Sequence, residues 1–494
     1  MNRKINIAII DDGINEKIFC TDINKKIEIR DRLVYEDNNL YGHTITHGTL
    51  CAGVINKYSD NININSIKIL NDNRGDINSL VEALEWCINN DIRVVNISLG
   101  TYYLVDEVIL KYIINKCYRK NVIIVAASDN HDYLTFPASF GNVIGVKGKS
   151  SNLLRKNKYS FFYNLIDGID ILAYSTHELI DLKNRRIICP DFNSFAVPYI
   201  TALVANILYK ETHLTFNQIK NKLFLNSVKN IDKIENIIRY KTPNCMENVL
   251  IYYVDCKKNT NSIYPFNAIS EQYISNIEEL FNDIKKNYYN IDTIIIIAQF
   301  IKKYDLKNIY IECKRYNINL VIISKYIKFN NLNNEDIHVW CNEHIKHIIN
   351  NLIYKESAYD NYIPSVCIYV DDSLDLIDIC LKIKEKFMEN GYNALLASDI
   401  LESEIYSIDY LPIDDDVSKK NIEKYIQTLS YKKNSDIVFY CTYQKESLIT
   451  QDITIKLNCK NDSLFVNINE IEKPIEGILD FIEYIYKYIF DNFS

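Results

Sequence analysis

The sequence predicts an α/β protein: a three-layer, parallel-sheet domain in the N-terminal half, followed by one or two further doubly wound α/β domains. Two observations predict this. Short runs rich in Ile and Val alternate with longer amphipathic segments along most of the chain, a pattern typical of strands and helices in parallel sheets. The length of 494 residues also exceeds what one hydrophobic core organises.

In the N-terminal half, apolar runs bounded by polar or turn residues are the expected strands. They are Ile5–Ile10, Ser66–Leu70, Val94–Ser98, Val122–Ala126 and Val143–Val146. Amphipathic periodicity predicts helices at Ile77–Asn89 and Glu107–Arg119.

The C-terminal half repeats this alternation. Expected strands are Val249–Val254, Thr293–Ala298, Asn319–Ser324, Val366–Val370 and Tyr392–Ala397. Expected helices are Glu271–Lys286, Leu306–Asn317, Leu374–Asn390 and Pro474–Phe490. A weakly patterned stretch with the turn signal Thr242-Pro243 precedes this half. We therefore expect a first domain at 1–235, a linker at 236–248, and α/β domains at 249–360 and 361–494.

Composition narrows the function. A net charge of −8, without a Lys/Arg-rich block, argues against nucleic acid as the main partner. The 13 cysteines, an odd number without a CxxC pair, predict reduced thiols in a cytosol. The first apolar run stops at Asp11 and is too short for a signal peptide, and Thr293–Ile301 is too short to span a bilayer. We expect a cytoplasmic protein without membrane insertion.

Four separated segments supply the groups that a serine nucleophile needs. Asp11 ends the first strand, where α/β sites form. His47 begins His-Gly-Thr-Leu-Cys-Ala-Gly, Asn130 ends Val-Ala-Ala-Ser-Asp-Asn, and Ser194 begins Ser-Phe-Ala-Val-Pro. Together they offer a carboxylate, a base, an oxyanion donor and a nucleophile, in the order Asp, His, Ser.

These segments resemble the motifs of the subtilisin-like serine peptidases, the subtilases of the S8 family. His47–Gly53 is similar to the family's HGTxxAG motif, and Ser194–Pro198 to its SMAxP motif. The stretch from Ile67 to Gly100 is also similar to subtilisin, and the resemblance extends from Ile5 to Ser227. It implies a subtilisin-like three-layer fold for this half.

The resemblance also implies roles. Asp11, His47 and Ser194 would form the catalytic triad, and Asn130 would form the oxyanion hole with the Ser194 amide. The substrate-binding residues would be a strand that pairs with an extended peptide, a residue on the facing edge and a pocket floor. They are Ser98, Leu99, Gly100, Gly75 and Thr135.

The sequence departs from the family's pattern near these positions. Asp12 replaces a Ser or Thr, Asp129 a Gly, Phe192-Asn193 a Gly-Thr pair, and Tyr199 a His. The two extra carboxylates could favour basic substrate residues or raise the pKa of His47. We interpret the departures as a narrowed specificity.

Other reactive side chains have simpler interpretations. We expect Cys51 to be a packed thiol behind His47, rather than a second nucleophile, and His43 to lie in a loop. Three residues at spacings of three, with a fourth nearby, could ligate zinc, but we favour a plain surface helix and expect no metal. They are Cys341, His344, His347 and His338.

The segment from Ile363 to Ala394 weakly resembles the start of a P-loop NTPase domain, with a strand, a loop, a helix and a Gly391-Tyr392 turn. Asp371 and Asp372 stand where a Gly-rich loop with Lys would bind phosphate. We therefore expect a degenerate relative that binds or assembles without hydrolysing nucleotide, and no cofactor.

The first strand begins so near Met1 that we expect no propeptide, and hence a peptidase restrained by its specificity. The hypothesis is a cytoplasmic serine endopeptidase that removes the leader of a ribosomal precursor peptide. Its C-terminal half would recognise the precursor, or a partner modification enzyme or transporter. The alternative is a catalytically weak or inactive subtilisin-like peptide-binding module whose C-terminal half has an interaction or signalling role.

Overall fold

A computed structural model describes two compact units, Met1–Cys245 and Met246–Ser494. The described residues fall in two ranges with gaps. They are 4–228 except 20, 40, 72–73, 132, 149–156 and 162–167, and 246–493 except 259, 276–277, 288, 301–302, 317, 327–338, 342–344, 347–348, 351–361, 413–416, 445–450 and 462.

Unit 1 is organised by one sheet in the order β3-β2-β4-β1-β5-β6-β7-β9-β8. Its strands are β1 Ile5–Asp11, β2 Ile23–Arg30, β3 Leu33–Glu36, β4 Ile62–Lys68, β5 Val94–Ile97, β6 Ile123–Ala127, β7 Ile144–Gly148, β8 Tyr159–Phe161 and β9 Ile171–Ala173. The central strands are parallel, and antiparallel pairs close both edges. A separate hairpin pairs β10, Glu178–Ile180, with β11, Arg186–Ile188.

Helices cover both faces of this sheet. They are α1 Glu16–Phe19, α2 His47–Tyr58, α3 Ile77–Asn89, α4 Val105–Arg119, α5 Asn193–Lys210 and α6 Phe216–Asn226. Side chains of β1 alternate between two buried clusters: Ile7 and Ile9 pack with α2, α5 and α6, whereas Ala8 and Ile10 pack with α3 and α4. The result is the expected three-layer α/β arrangement.

Unit 2 contains two further sheets. The first, in the order β13-β12-β14-β15-β16, has parallel strands β12 Asn248–Val254, β13 Asn267–Ile274, β14 Thr293–Phe300, β15 Asn319–Tyr326 and β16 Val339–Cys341. The second has the order β19-β18-β20-β17-β21-β22-β23. Its strands are β17 Ser365–Val370, β18 Ala394–Ser398, β19 Asp409–Tyr410, β20 Ile437–Thr442, β21 Ile453–Lys460, β22 Ser463–Ile468 and β23 Ile471–Ile475. The helices are α7 Glu278–Asn287, α8 Lys303–Tyr316, α9 Leu376–Glu389, α10 Lys419–Lys432 and α11 Ile478–Phe493.

Some sequence expectations for unit 2 were wrong. The expected helix Glu271–Lys286 is strand β13 up to Ile274, and helix α7 begins at Glu278. The expected last helix begins at Ile478, because Pro474 lies in β23, the edge strand of its sheet. Cys341 ends a strand instead of lying on a helix. The other zinc candidates, His338, His344 and His347, lie outside the described residues, as does most of the 236–248 linker.

Among the described residues, none of the helices combines the length and apolar character needed to cross a bilayer.

Candidate active site

Three elements of unit 1 bring the predicted triad together. Asp11 is the last residue of β1, His47 is the first of α2, and Ser194 is the second of α5. Parallel strands direct their carboxyl ends, and the helices that follow or cross them, to one edge of the sheet. The three side chains therefore meet although long stretches of sequence separate them.

His47 bridges the other two side chains. Its Nδ1 lies 2.8 Å from Asp11 Oδ2, and its Nε2 lies 2.9 Å from Ser194 Oγ. Because a carboxylate only accepts hydrogen bonds, Nδ1 carries the hydrogen and Nε2 faces Ser194 as an acceptor. Asp11 is almost fully buried, and its other oxygen accepts from the Asp12 amide at 2.9 Å. Phe195 packs beside the imidazole, with ring centroids 4.8 Å apart.

The surroundings of His47 set its charge. Burial lowers the pKa of the imidazole, whereas electrostatic interactions with Cys51 and Asp11 and the hydrogen bond to Asp11 raise it. The net direction is upward, as expected for an imidazole held against a buried carboxylate. Neutral His47, the form that accepts a proton, is therefore favoured at alkaline pH.

Asp12 binds the start of helix α2 with both of its carboxylate oxygens. Its Oδ2 accepts from the His47 amide at 2.9 Å and its Oδ1 from the Gly48 amide at 2.8 Å. These amides belong to the first turn of α2, whose donors lack partners within the helix. Burial and the neighbouring Asp11 raise the pKa of Asp12, and the two amide bonds oppose that rise. A role of Asp12 in attracting basic substrate residues stays a prediction.

Cys51 is fully buried directly behind His47. Its Sγ lies 3.8 Å from His47 Nδ1 and 3.5 Å from Ser98 Oγ, and burial raises the pKa of the thiol. Donor atoms of Asp11, His47 and Cys51 lie within 4.8 Å of one another, close enough for one metal ion. The same Asp11 and His47 atoms already share a hydrogen bond, so an ion there would replace the contact that orients the imidazole.

The predicted oxyanion donor lies beside the start of α5. Asn130 is exposed, and its Oδ1 accepts from the Asn193 amide at 3.1 Å. With the oxygen held on that amide, Nδ2 is the end of the carboxamide directed away from Asn193. The Ser194 amide lies in the first turn of this 18-residue helix, where the helix dipole favours negative charge.

Ser98 directly follows strand β5, and its role in binding a peptide through its backbone stays a prediction. Strand β5 ends at Ile97, and the Ser98 hydroxyl turns inward, where it donates to the Ser194 carbonyl at 3.0 Å. It also accepts from Asn96 Nδ2 at 3.0 Å, and Asn96 Oδ1 accepts from Thr201 Oγ1 at 3.0 Å. This buried chain ties the segment after β5 to α5 at two levels.

Thr135 closes the space next to Gly100. A Cβ placed on Gly100 would lie 2.6 Å from Thr135 Cγ2, so the threonine methyl faces this glycine. The Thr135 hydroxyl is held from two sides: it accepts from the Asp129 amide at 2.9 Å and donates to the Tyr133 carbonyl at 2.9 Å. Next to it, the backbones of Thr101 and Phe136 pair.

Gly75 follows a backbone bridge between Asn71 and Arg74, and a Cβ there would lie 2.8 Å from Leu70 Cδ2. A larger residue would therefore push on Leu70. The roles of Gly75 and Leu99 in binding a peptide stay predictions.

The remaining departures have distinct structural consequences. The Asp129 carboxylate accepts from the His131 amide within its own loop, and its Oδ2 lies 3.4 Å from His131 Nδ1. Tyr199 packs edge-on against Tyr58. Phe192, which precedes the nucleophile by two residues, is 51% exposed and leaves α5 without a side-chain cap.

The sequence did not predict a functional role for Asn193, which it showed only as a departure from the family's Gly-Thr pair. Its side-chain carboxamide forms hydrogen bonds with Ser128 and Asp129, which follow β6, and with Gly148 at the end of β7. Its one sequence signal was its place next to the nucleophile.

The model of the subtilase family matches residues 2–240. The N-terminal half of the chain is a subtilase domain. The chain is similar to the minor extracellular protease Epr of Bacillus subtilis (strain 168), with 28% identity over 239 residues, 46% of this chain and 35% of Epr. Subtilisin BL of Lederbergia lenta is 28% identical over 189 residues, 36% of this chain and 68% of the relative.

The match to Epr spans about a third of the length of Epr, and the match to the family model ends at residue 240, before unit 2. Among solved structures, the epidermin leader peptide processing serine protease EpiP of Staphylococcus aureus is 18% identical, with a TM-score of 0.35 over 45% of this chain and 68% of that one.

Proposed function

We propose that this protein is a serine endopeptidase whose triad is Asp11, His47 and Ser194. The observation that carries the proposal is the position of His47, which reaches a buried carboxylate with one ring nitrogen and a serine hydroxyl with the other. This is the arrangement that converts a serine hydroxyl into a nucleophile. Membership of the subtilase family supports the same activity.

In the proposed reaction, Ser194 Oγ attacks the scissile carbonyl carbon while its proton passes to His47 Nε2. The carbonyl oxygen becomes an oxyanion that accepts from Asn130 Nδ2 and the Ser194 amide. His47 then gives its proton to the leaving amine, and an acyl-enzyme ester remains on Ser194. Water attacks this ester by the same route, with His47 as base, and the free acid leaves.

The geometry near Ser194 supports a restricted substrate range. The Thr135 methyl occupies the space facing Gly100, where the resemblance locates the pocket for the residue before the scissile bond. Exposed Phe192 adds an apolar side chain two positions before the nucleophile. We propose that the segment Ser98–Gly100 binds an extended peptide by its backbone, with small or medium side chains in the pocket.

A finer proposal concerns the biological substrate. A narrow pocket suits the processing of one dedicated precursor, and we propose leader removal from a ribosomally made peptide, with unit 2 recognising the precursor, a modification enzyme or a transporter. This step is an analogy with the layout of peptide-maturation peptidases. The cysteine composition supports a cytoplasmic location.

Fluorophosphonate labelling tests the activity, because the probe reacts only with an activated serine. Wild-type protein should be labelled and should cleave peptides, and Ser194→Ala should lose both while its melting temperature stays unchanged. Ser227→Ala, which removes a hydroxyl bonded within the end of α6, is the matched control and should keep both. Equal hydrolysis by wild type and Ser194→Ala would exclude the peptidase. Unlabelled wild type that still binds peptides would favour the binding-module alternative.

A further inference from the structure

Asn193 has the most densely hydrogen-bonded side chain next to the proposed nucleophile. It is 7% exposed, and its Nδ2 lies 2.7 Å from the Asp129 carbonyl, 3.2 Å from the Ser128 carbonyl and 3.1 Å from Ser128 Oγ. Its Oδ1 accepts from the Gly148 amide at 2.8 Å. One buried carboxamide thus contacts the residues that follow β6 and the last residue of β7.

The backbone of the same residue holds the oxyanion donor. The Asn193 amide donates to Asn130 Oδ1 at 3.1 Å, so Nδ2 is the donor end of the carboxamide that points away from Asn193. The side chain of Asn193 grips the Asp129 carbonyl, which belongs to the peptide bond that leads into Asn130. Asn130 is therefore fixed at both ends, by the backbone and by the side chain of one residue.

We infer that Asn193 is a positioning residue, which holds Asn130 in place for the oxyanion hole before substrate binds. Asn130 is exposed and sits in a loop, so without this grip its carboxamide would rotate freely in water. A donor acts best on developing charge when it is held in place beforehand. Asn193 acts through Asn130, while its own atoms stay buried behind the hole. The inference rests on the proposed peptidase activity.

The test compares Asn193→Ala with a matched variant remote from the hole. Asn65 is also buried, and its Nδ2 donates to the Ile7 carbonyl at 3.0 Å inside the sheet. Both Asn193→Ala and Asn65→Ala should lower the melting temperature, because each leaves buried polar groups without partners. Well below melting, Asn193→Ala should lower kcat about 10- to 100-fold with little change in KM, because a small misplacement of a catalytic donor has effects of this size. Asn65→Ala should keep the wild-type kcat.

A double-mutant cycle with Asn130→Ala separates positioning from general damage. If Asn193 acts through Asn130, its replacement should lower kcat less than about threefold once Asn130 is alanine. An undiminished effect in the Asn130→Ala background, or an unchanged kcat in Asn193→Ala, would overturn the inference.

The proposed activity and this inference fail in different ways. Absence of labelling in wild-type protein would remove the peptidase proposal, whatever Asn193 does. In that case a crystal structure of Asn193→Ala decides the positioning: a displaced Asn130 side chain supports it, and an Asn130 Oδ1 still bonded to the residue 193 amide overturns it.

Discussion

Two strands in this chain each end at a pair of aspartates, but the two pairs have different surroundings. Strand β1 runs into Asp11-Asp12 and strand β17 runs into Asp371-Asp372, and each strand is central in its sheet, with a parallel neighbour on both sides. The carboxyl end of such a strand is where α/β proteins place their sites.

We call the carboxyl end of β1, with Asp11, the first edge, and the carboxyl end of β17, with Asp371, the second edge. The carboxylates at these two edges have different partners. Asp11 gives one oxygen to a neighbouring amide and the other to His47, a residue from a distant segment with a second nitrogen to offer. Asp371 accepts from the amide and hydroxyl of Ser373 and from the Cys459 amide. A carboxylate at a strand end contributes to chemistry when its partner can pass a proton onward. The partners of Asp371 hold a turn and an adjacent strand in place.

The largest expected effect separates the two edges directly. Asp11→Asn should lower kcat about 10⁴-fold, because the amide no longer fixes the tautomer in which His47 Nε2 accepts a proton. Asp371→Asn, the matched change in unit 2, should leave kcat within about twofold of wild type. The measurement is peptide hydrolysis on both purified variants, with labelling of Ser194 as a second readout. A large loss of kcat in Asp371→Asn would break the comparison.

The pH dependence should also come from the first edge. The raised pKa of His47 means that the folded state favours the protonated imidazole, which stabilises the fold below the ordinary pKa of about 6.5. That stabilisation is lost as pH rises toward the folded pKa, while neutral His47, the catalytic base, becomes populated. Labelling should therefore rise with pH over the range in which the stability difference between wild type and His47→Ala falls. Labelling that is fastest at acidic pH would contradict this.

The sequence predicted the elements around the triad well, and it predicted the outer strands of the two sheets in unit 2 poorly. Ile77–Asn89 is a helix with the expected bounds, and the triad residues meet, because strong motifs and buried periodic segments specify both. Strand β13 was expected to be helical because it is a half-exposed edge strand with a polar pattern. Pro474 was expected to start a helix, although an edge strand tolerates proline.

Side-chain partners were the least predictable feature. The sequence did not show that the oxygens of Asp12 accept from two amides at the start of α2. Asn193 was noted only as a departure from the family's Gly-Thr pair. Its proposed positioning role depends on contacts with Gly148 and Asp129, which are far from it in sequence. Periodicity reports which residues are buried, whereas the pairing of polar atoms depends on the folded arrangement.

A smaller effect should appear in the substrate preference of the proposed peptidase, because Thr135 limits the side chains that fit the pocket for the residue before the scissile bond. Thr135→Ser removes the methyl that faces Gly100 and keeps the hydroxyl bonded to Asp129 and Tyr133. Overpacking a rigid cavity disfavours a large side chain by about 1–3 kcal/mol, so large aromatic residues should gain about 5- to 150-fold in kcat/KM relative to small ones. Thr135→Val, which keeps the bulk, is the control and should retain the wild-type preference.

Mass spectrometry of a peptide library varied at the residue before the scissile bond measures this preference. Wild type that already prefers Phe or Trp would defeat the pocket argument and leave the triad untouched.

The smallest expected effect is a null result at the second edge. The first turn of α9 could bind a phosphate only through free amides, but the Leu376 amide donates to Tyr443 Oη at 3.1 Å and the Asp378 amide to Asp375 Oδ1 at 3.1 Å. The Asp375 carboxylate also accepts from the Thr260 hydroxyl and the Asn261 amide, so a loop of the neighbouring sheet already binds it.

With these donors in use and acidic residues after Val370, ATP with Mg²⁺ should neither be hydrolysed nor raise the melting temperature of the full chain. Tyr443→Phe frees the Leu376 amide and should still give no turnover, since no Lys follows Val370 in this loop. ATP turnover that disappears when Asp371 and Asp372 are changed would mean that the second edge is catalytic. Both edges would then be catalytic on different substrates, and the different hydrogen-bond partners of Asp11 and Asp371 would not distinguish a catalytic edge from a structural one.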